Sequence, residues 1–172
     1  MIKIIDNFFD NKDLKIVQDF ALTKAFYTPR FFDEAPERTE RYSYGSRWQF
    51  NNEPKLLNMF VKQAELKFKI KIKELNIDSG IDQRRLTTFK PHTDNHSTLN
   101  ILIMISGPTA VTNGTVFYST EGNKSDLDIH VGFKENRAIL FSSNKTHSPH
   151  ANKESNITRY SATLFIKDYE EE

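Results

Sequence analysis

Most of the chemistry this sequence can offer rests on five histidines, four of which fall in two short clusters. The first cluster is Pro91-His92-Thr93-Asp94, with His96 just beyond it. In extended chain, residues two apart point to the same side, so His92 and Asp94 can converge on one ion. The second cluster, Phe141 to His150, carries His147 and His150, and His147 follows His92 by 55 residues. Two imidazoles and one carboxylate are the ligand set of the facial triad, which leaves coordination positions of Fe(II) open. A lone His-x-Asp pair is also common on polar surfaces, so the pair needs support from elsewhere in the chain. His147 and His150 are three apart and face opposite ways in extended chain, so only one of them can reach a shared ion. His96 and His130 read as ordinary polar residues. With no cysteine, thiolate zinc sites, iron–sulfur clusters, disulfides and thiol nucleophiles are all excluded. Any metal must sit on nitrogen and oxygen.

That support comes from the run Thr158 to Ile166. By alternation Arg159, Ser161 and Thr163 share one face, and Tyr160, Ala162, Leu164 and Ile166 the other. An arginine in an apolar strand needs an anionic partner, and its planar fork suits a carboxylate. That partner is either an internal Asp or Glu or a bound ligand. The run Thr98 to Ile105 has the same mixed character, with Thr98 and Asn100 on one face and Leu99, Ile101, Ile103 and Ile105 on the other. Polar groups on so apolar a strand need partners too, and a ligand-lined barrel mouth would supply them.

The elements that must position these residues follow from periodicity. Lys3–Phe9 reads as a strand, and Asp10 as the N-cap of a helix carrying Leu14, Val17, Phe20, Ala21 and Ala25. Thr28–Asn52 has no period and collects Pro29, Pro36, Arg38, Arg41, Arg47 and Trp48, so a long polar loop is expected. Leu57, Phe60, Val61, Ala64, Phe68, Ile72 and Leu75 continue as a second apolar stripe. Lys67–Lys73 also alternates, however, and so fits a strand as well as the end of that helix. Beyond Gly80, strands are expected at Gln83–Phe89, Ser97–Ile105, Thr115–Ser119, Ile129–Phe133, Ala138–Ser142 and Arg159–Lys167, separated by turn-rich pieces. This is an α+β pattern, mainly β: a jelly roll with N-terminal helices packed on one face. The expectation is one domain over 1–172, with a helical part over about 1–80 and the β core over about 81–168. The 172 residues carry 24 Lys+Arg against 23 Asp+Glu, a balance that gives no electrostatic case for nucleic acid or a membrane surface as partner. Asp6 and Asp10 are foreign to a secretory leader, so a cytoplasmic protein is expected.

Taken together, these pieces resemble the Fe(II)/2-oxoglutarate-dependent oxygenases, in their prolyl-hydroxylase-like branch. The resemblance covers most of the chain. It rests on Ile4-Ile5-Asp6-Asn7-Phe8-Phe9, His92-x-Asp94, Gly114-Thr115-Val116-Phe117-Tyr118, Phe141-x-Ser143 leading into a histidine, and Arg159-Tyr160-Ser161. It implies a double-stranded β-helix with Fe(II) on His92, Asp94 and a distal histidine. His147 fits the family's usual step from the Phe-x-Ser run, and His150 the shorter step to the arginine that some members show. The resemblance also implies that Arg159 anchors the distal carboxylate of 2-oxoglutarate, with Ser161 as helper, and that O2 is consumed while 2-oxoglutarate becomes succinate. Ascorbate is a further candidate cofactor. From its strand face, Asn100 is taken as another cosubstrate contact.

For substrate, the segment Arg30–Phe50, with Tyr42, Tyr44, Arg47 and Trp48, is the candidate lid, and Arg47 and Trp48 are the candidate contacts. The competing reading is a surface loop with the tryptophan tucked into the core. The nucleic-acid demethylase branch of the family carries a second arginine six residues after the first, where this chain has Phe165. A peptide side chain or a small amino-acid-like molecule is therefore the expected substrate. A cupin-like metal enzyme and a non-catalytic jelly-roll binding or structural protein are the alternatives.

Overall fold

The computed structural model describes residues 1–31, 43–84, 91–119, 126–150 and 158–172. Strand β1 (Ile2–Ile5) leads into helix α1 (Asn11–Thr23). Asp10 caps that helix as expected, its carboxylate accepting from the Asp13 amide at 2.8 Å. The segment expected to be a loop is instead a hairpin where it is described: β2 (Thr28–Phe31) pairs antiparallel with β3 (Ser43–Gln49). Its Pro29 reads as a strand breaker in sequence. It is tolerated because β2 ends the strand order, where a missing backbone N–H breaks no second ladder.

Helix α2 (Pro54–Phe68) opens on a proline and stops at Lys69, whose φ of 58° is left-handed. The chain then enters β4 (Ile70–Leu75), so of the two readings left open for Lys67–Lys73 the strand holds beyond Lys69. The rest is β: β5 (Gly80–Arg84), β6 (Leu99–Ser106), β7 (Ala110–Tyr118), β8 (Leu127–Phe133), β9 (Ala138–Ser142), β10 (His147–His150) and β11 (Arg159–Glu171). Residues 85–90 of the expected strand at Gln83–Phe89 lie outside the described residues.

Two antiparallel sheets result. The larger has the order β1-β9-β6-β11-β5-β3-β2 with β4 added on β11, and the smaller the order β10-β7-β8. The N-terminal part is thus not simply helical, because β1 to β4 all belong to the larger sheet. One face of that sheet packs against the helices through Ile101, Ile103, Ala162 and Leu164, with Val17, Phe60 and Ala64 opposite. Its other face meets the smaller sheet through Met104, Ile139 and Phe141 against Phe117, Val131 and Phe133. The alternation read in β6 and β11 is therefore the division between these two faces. Asn136, at φ 64°, fastens the N-terminal segment by donating to the Phe9 carbonyl and accepting from the Phe9 amide. Among the described residues, no helix is long and apolar enough to cross a membrane.

Candidate functional site

Backbone pairing brings the two histidine clusters together. The amide of His92 donates to the carbonyl of His147 and the reverse bond is also made, both at 2.9 Å, while the Asp94 amide donates to the Ser143 carbonyl at 3.0 Å. This pairing lays the His-x-Asp segment alongside the entry to β10. His92 Nε2 lies 3.8 Å from Asp94 Oδ1, and His147 Nε2 lies 3.4 Å from Asp94 Oδ2. One donor atom from each of the three side chains falls within 4.8 Å of the other two. Three such donors on one side of a point could hold a divalent ion and leave its far side open.

Each donor is also oriented. His147 Nδ1 faces the Lys145 carbonyl at 3.0 Å, and since a carbonyl only accepts, the proton sits on Nδ1 and the Nε2 lone pair faces the cluster. Its ring is buried against Phe141 and Phe117. Burial, with His92 beside it, pushes its pKa down to about 4 against the opposing pull of Asp94, so the imidazole is neutral at pH 7, as a metal ligand must be. Asp94 is buried and its Oδ2 accepts from Asn100 Nδ2 at 2.6 Å. Asn100 Oδ1 in turn accepts from Ser97 Oγ at 2.7 Å. Asn100 is thus on the expected strand face but is not a cosubstrate contact: it is wholly buried with its amide committed to Asp94. His150 is exposed on β10, with its ring beside His130 and outside the cluster.

A cavity of about 180 Å³ opens beside the three donors, between the sheets. Its floor comes from the polar face of β11, where Arg159, Ser161 and Thr163 all line it, as the alternation predicts. Arg159 is buried, and its Nη1 donates to the carbonyls of Gly114 and His150, each at 3.1 Å. Among the described residues no carboxylate pairs with it, which removes the internal salt bridge as its explanation. Burial, with Arg84 nearby, lowers its pKa from the usual arginine range to about 10, and the side chain stays charged at neutral pH. Gly114 must be glycine here, because a Cβ would stand 2.0 Å from the Val131 carbonyl oxygen.

Arg47 lines the same cavity, yet its guanidinium is committed. Nε and Nη2 donate to the two carboxylate oxygens of Asp82 at 2.7 Å each, and Nη1 to the Asp78 carbonyl at 2.8 Å. Trp48, next along β3, points the other way and packs on Phe20 and Phe50, with ring centroids 4.7 and 5.7 Å away. Its ring thus belongs to the helix-side core, and the residue also borders a second cavity beside Arg47. Tyr42 lies outside the described residues, as does the side chain of Tyr44. His96, read as plain polar, is exposed but lines the cavity edge-on to Phe165, at 4.6 Å between centroids. Arg84, which lines the cavity, and Asp82, which pairs with both Arg47 and Arg84 behind it, are not singled out by the sequence reading. The available signal was an acidic residue two before a basic one in an otherwise strand-like run.

By sequence, no protein-family model and no curated protein matches the chain. The solved structures do. An oxidoreductase of the 2OG-Fe(II) oxygenase family from Burkholderia pseudomallei superposes with a TM-score of 0.68 at 11% identity, over 98% of this chain and 84% of that one. A prolyl hydroxylase from Trichoplax adhaerens, solved with a hypoxia inducible factor peptide fragment, gives 0.66 at 12% identity, over 97% and 83%. The fold is that of the Fe(II)/2-oxoglutarate oxygenases. An α-ketoglutarate-dependent carbocyclase of nogalamycin biosynthesis has it too, with a TM-score of 0.68 at 10% identity over 96% of this chain and 79% of that one. One oxygenase fold therefore carries different reactions, and the reaction has to be argued from the site.

Proposed function

We propose that this protein is an Fe(II)- and 2-oxoglutarate-dependent dioxygenase that hydroxylates a peptide side chain or a small amino-acid-like substrate. One observation carries the reading: the His92–Asp94–His147 donor set and the buried, carboxylate-free Arg159 line the same cavity. At about 180 Å³ that cavity is smaller than the roughly 300–1,000 Å³ of drug-sized ligand sites, which suits a small dicarboxylate. The donor set fits iron: two imidazoles and one carboxylate, with no thiolate in the chain to favour a softer metal.

His92, Asp94 and His147 would hold the ion. Asn100 and the Lys145 carbonyl keep Asp94 and His147 aimed at it. Arg159 would receive the distal carboxylate of 2-oxoglutarate, with Ser161 beside it on the same strand face. Leu102, Met104, Phe133 and Phe141 form apolar wall that keeps water from the reacting centre. When bound, iron and 2-oxoglutarate would supply the oxidising chemistry together with O2, one oxygen atom ending in succinate as carbon dioxide leaves and the other in the hydroxylated substrate. The whole chain is read as a single oxygenase domain.

The test is succinate release from 2-oxoglutarate with Fe(II) and ascorbate. Wild type should release it slowly even without substrate. His92→Ala and Asp94→Ala should abolish the release, and undiminished turnover in either overturns the assignment.

A further inference from the structure

A second cavity, of about 270 Å³, is lined by Phe26, Thr28, Arg47, Trp48, Gln49, Asn52 and Asp78. It shares Arg47 and Asp78 with the cavity beside the His-Asp-His cluster, so the two meet at that pair. The two arginines and two aspartates around the junction are unequally paired. Arg47 is neutralised by its two bonds to Asp82, and its third nitrogen is taken by the Asp78 carbonyl. The Asp78 carboxylate has only the Gln49 amide, at 3.3 Å, and no cationic partner among the described residues. Arg84, whose Nη2 lies 3.5 Å from Asp82 Oδ2, balances the charges around the junction, so Asp78 stands out among the described residues as a carboxylate without an ion pair rather than as a net charge.

Beside it stands Phe26, 86% exposed and the most solvent-accessible large hydrophobic side chain described. A lone exposed aromatic is ordinary on a protein surface. An aromatic ring and an unpaired carboxylate on the wall of one cavity are a pairing suited to an organic cation, which gains from the carboxylate and from the ring face together. Gln49 and Asn52 add neutral acceptors to the same wall.

We propose that Asp78 and Phe26 form a subsite for the ammonium or guanidinium group of the substrate, so that the substrate class is a basic amino acid or a basic residue in a peptide. This deepens the oxygenase reading and rests on it. The cation is held at Asp78, at the junction of the two cavities, while the apolar part of the same side chain reaches toward the iron ligands.

The only tryptophan, Trp48, lines this cavity, which gives a readout that needs neither iron nor turnover. Lysine, a capped pentapeptide with one central lysine, and norleucine are titrated while Trp48 fluorescence and heat of binding are followed. Expected is saturable binding of the lysine probes and none of norleucine. Asp78→Asn, which keeps the shape and both backbone bonds, should weaken lysine binding roughly fivefold to tenfold. Phe26→Ala should weaken it too, at an unchanged melting temperature because that ring is exposed. Tighter binding of the peptide than of free lysine identifies a peptide substrate, and the reverse order a free amino acid. Equal binding of norleucine, unchanged affinity in Asp78→Asn, or no binding by either method overturns the subsite. Substrate-free succinate release by wild type separates the two claims. If release persists when cation binding fails, only the subsite falls; if release is absent, the oxygenase reading itself falls.

Discussion

Arg159→Met separates a ligand-binding arginine from a structural one, because only the structural role lowers the stability of the ligand-free protein substantially. In the folded protein the guanidinium is buried with only two carbonyl acceptors. A pKa lowered from the usual arginine range to about 10 corresponds to roughly 3 kcal/mol of destabilisation by the buried charge, present in full at pH 7 because that lies below both the folded and the unfolded value. Replacing it with an apolar side chain of similar length removes that penalty. It also strips the Gly114 and His150 carbonyls of a donor, at roughly 1–3 kcal/mol for each one left unsatisfied. The terms nearly cancel, and the ligand-free variant should melt within about 5 °C of wild type, since 1 kcal/mol moves a chain of this size by roughly 2–4 °C.

With ligand the two proteins should part. At a 2-oxoglutarate concentration about 100 times the wild-type Kd, binding stabilises by roughly 2.7 kcal/mol, a shift of roughly 5–10 °C. Loss of two charge-assisted bonds, at roughly 1.5 kcal/mol or more each, raises Kd at least about 150-fold. At the same concentration the variant then gains only roughly 0.3 kcal/mol, about 1 °C. The assay is thermal unfolding with Mn(II) as a redox-inert ion, with and without 2-oxoglutarate. A variant that keeps the wild-type shift shows that Arg159 does not hold the cosubstrate. One whose ligand-free form falls by more than about 10 °C shows that its role is structural.

Three further outcomes are expected. Asn100→Ala frees Asp94 Oδ2 from its 2.6 Å donor and should weaken metal binding about 10–100-fold, as loss of a ligand's orienting partner does; unchanged affinity by metal titration would remove Asn100 from the site. His147 takes up its proton at about pH 4 in the fold but near 6.5 when unfolded. Stability of the metal-free protein should therefore fall as pH drops from about 6.5 toward 4, and His147→Gln should flatten that slope in denaturant titrations. Asp6, held down at about 2 by Arg137 and Lys134, contributes stability that is present above its unfolded pKa of 3.8 and lost as pH falls toward 2. With its carboxylate about one-third exposed, Asp6→Asn should cost only roughly 1 kcal/mol at pH 7, and an effect unchanged at pH 2 would contradict the ion-pair account.

Much of the site was legible because strand alternation is a local rule. The polar face of β11 and the mixed face of β6 follow from a period of two, and both lie where that period puts them. The hairpin at Thr28–Gln49 was not legible. Its strand β2 contains a proline, and its partner β3 mixes Arg47 and Trp48, two side chains that reach opposite faces of one sheet. Strand β10 was missed for a similar reason: Pro149 argues against a strand unless that strand is an edge, and edge position is a property of the sheet order.

By itself the sequence determined the donor types, the spacing that aims His92 and Asp94 at one point, and the polar strand face that carries Arg159. Composition and short-range periodicity fix such things. It did not show which histidine lies beside His92 and Asp94, that the Asn100 amide serves Asp94, or what pairs with Arg47. Those were decided by bonds between residues far apart in the chain. The His92–His147 backbone pair sets His147 beside Asp94, the Asn100 amide is taken by Asp94, and Asp82, reached through the pairing of β3 with β5, takes the charge of Arg47. Residues remote in sequence become partners only when the sheet closes, so no local pattern could have named them.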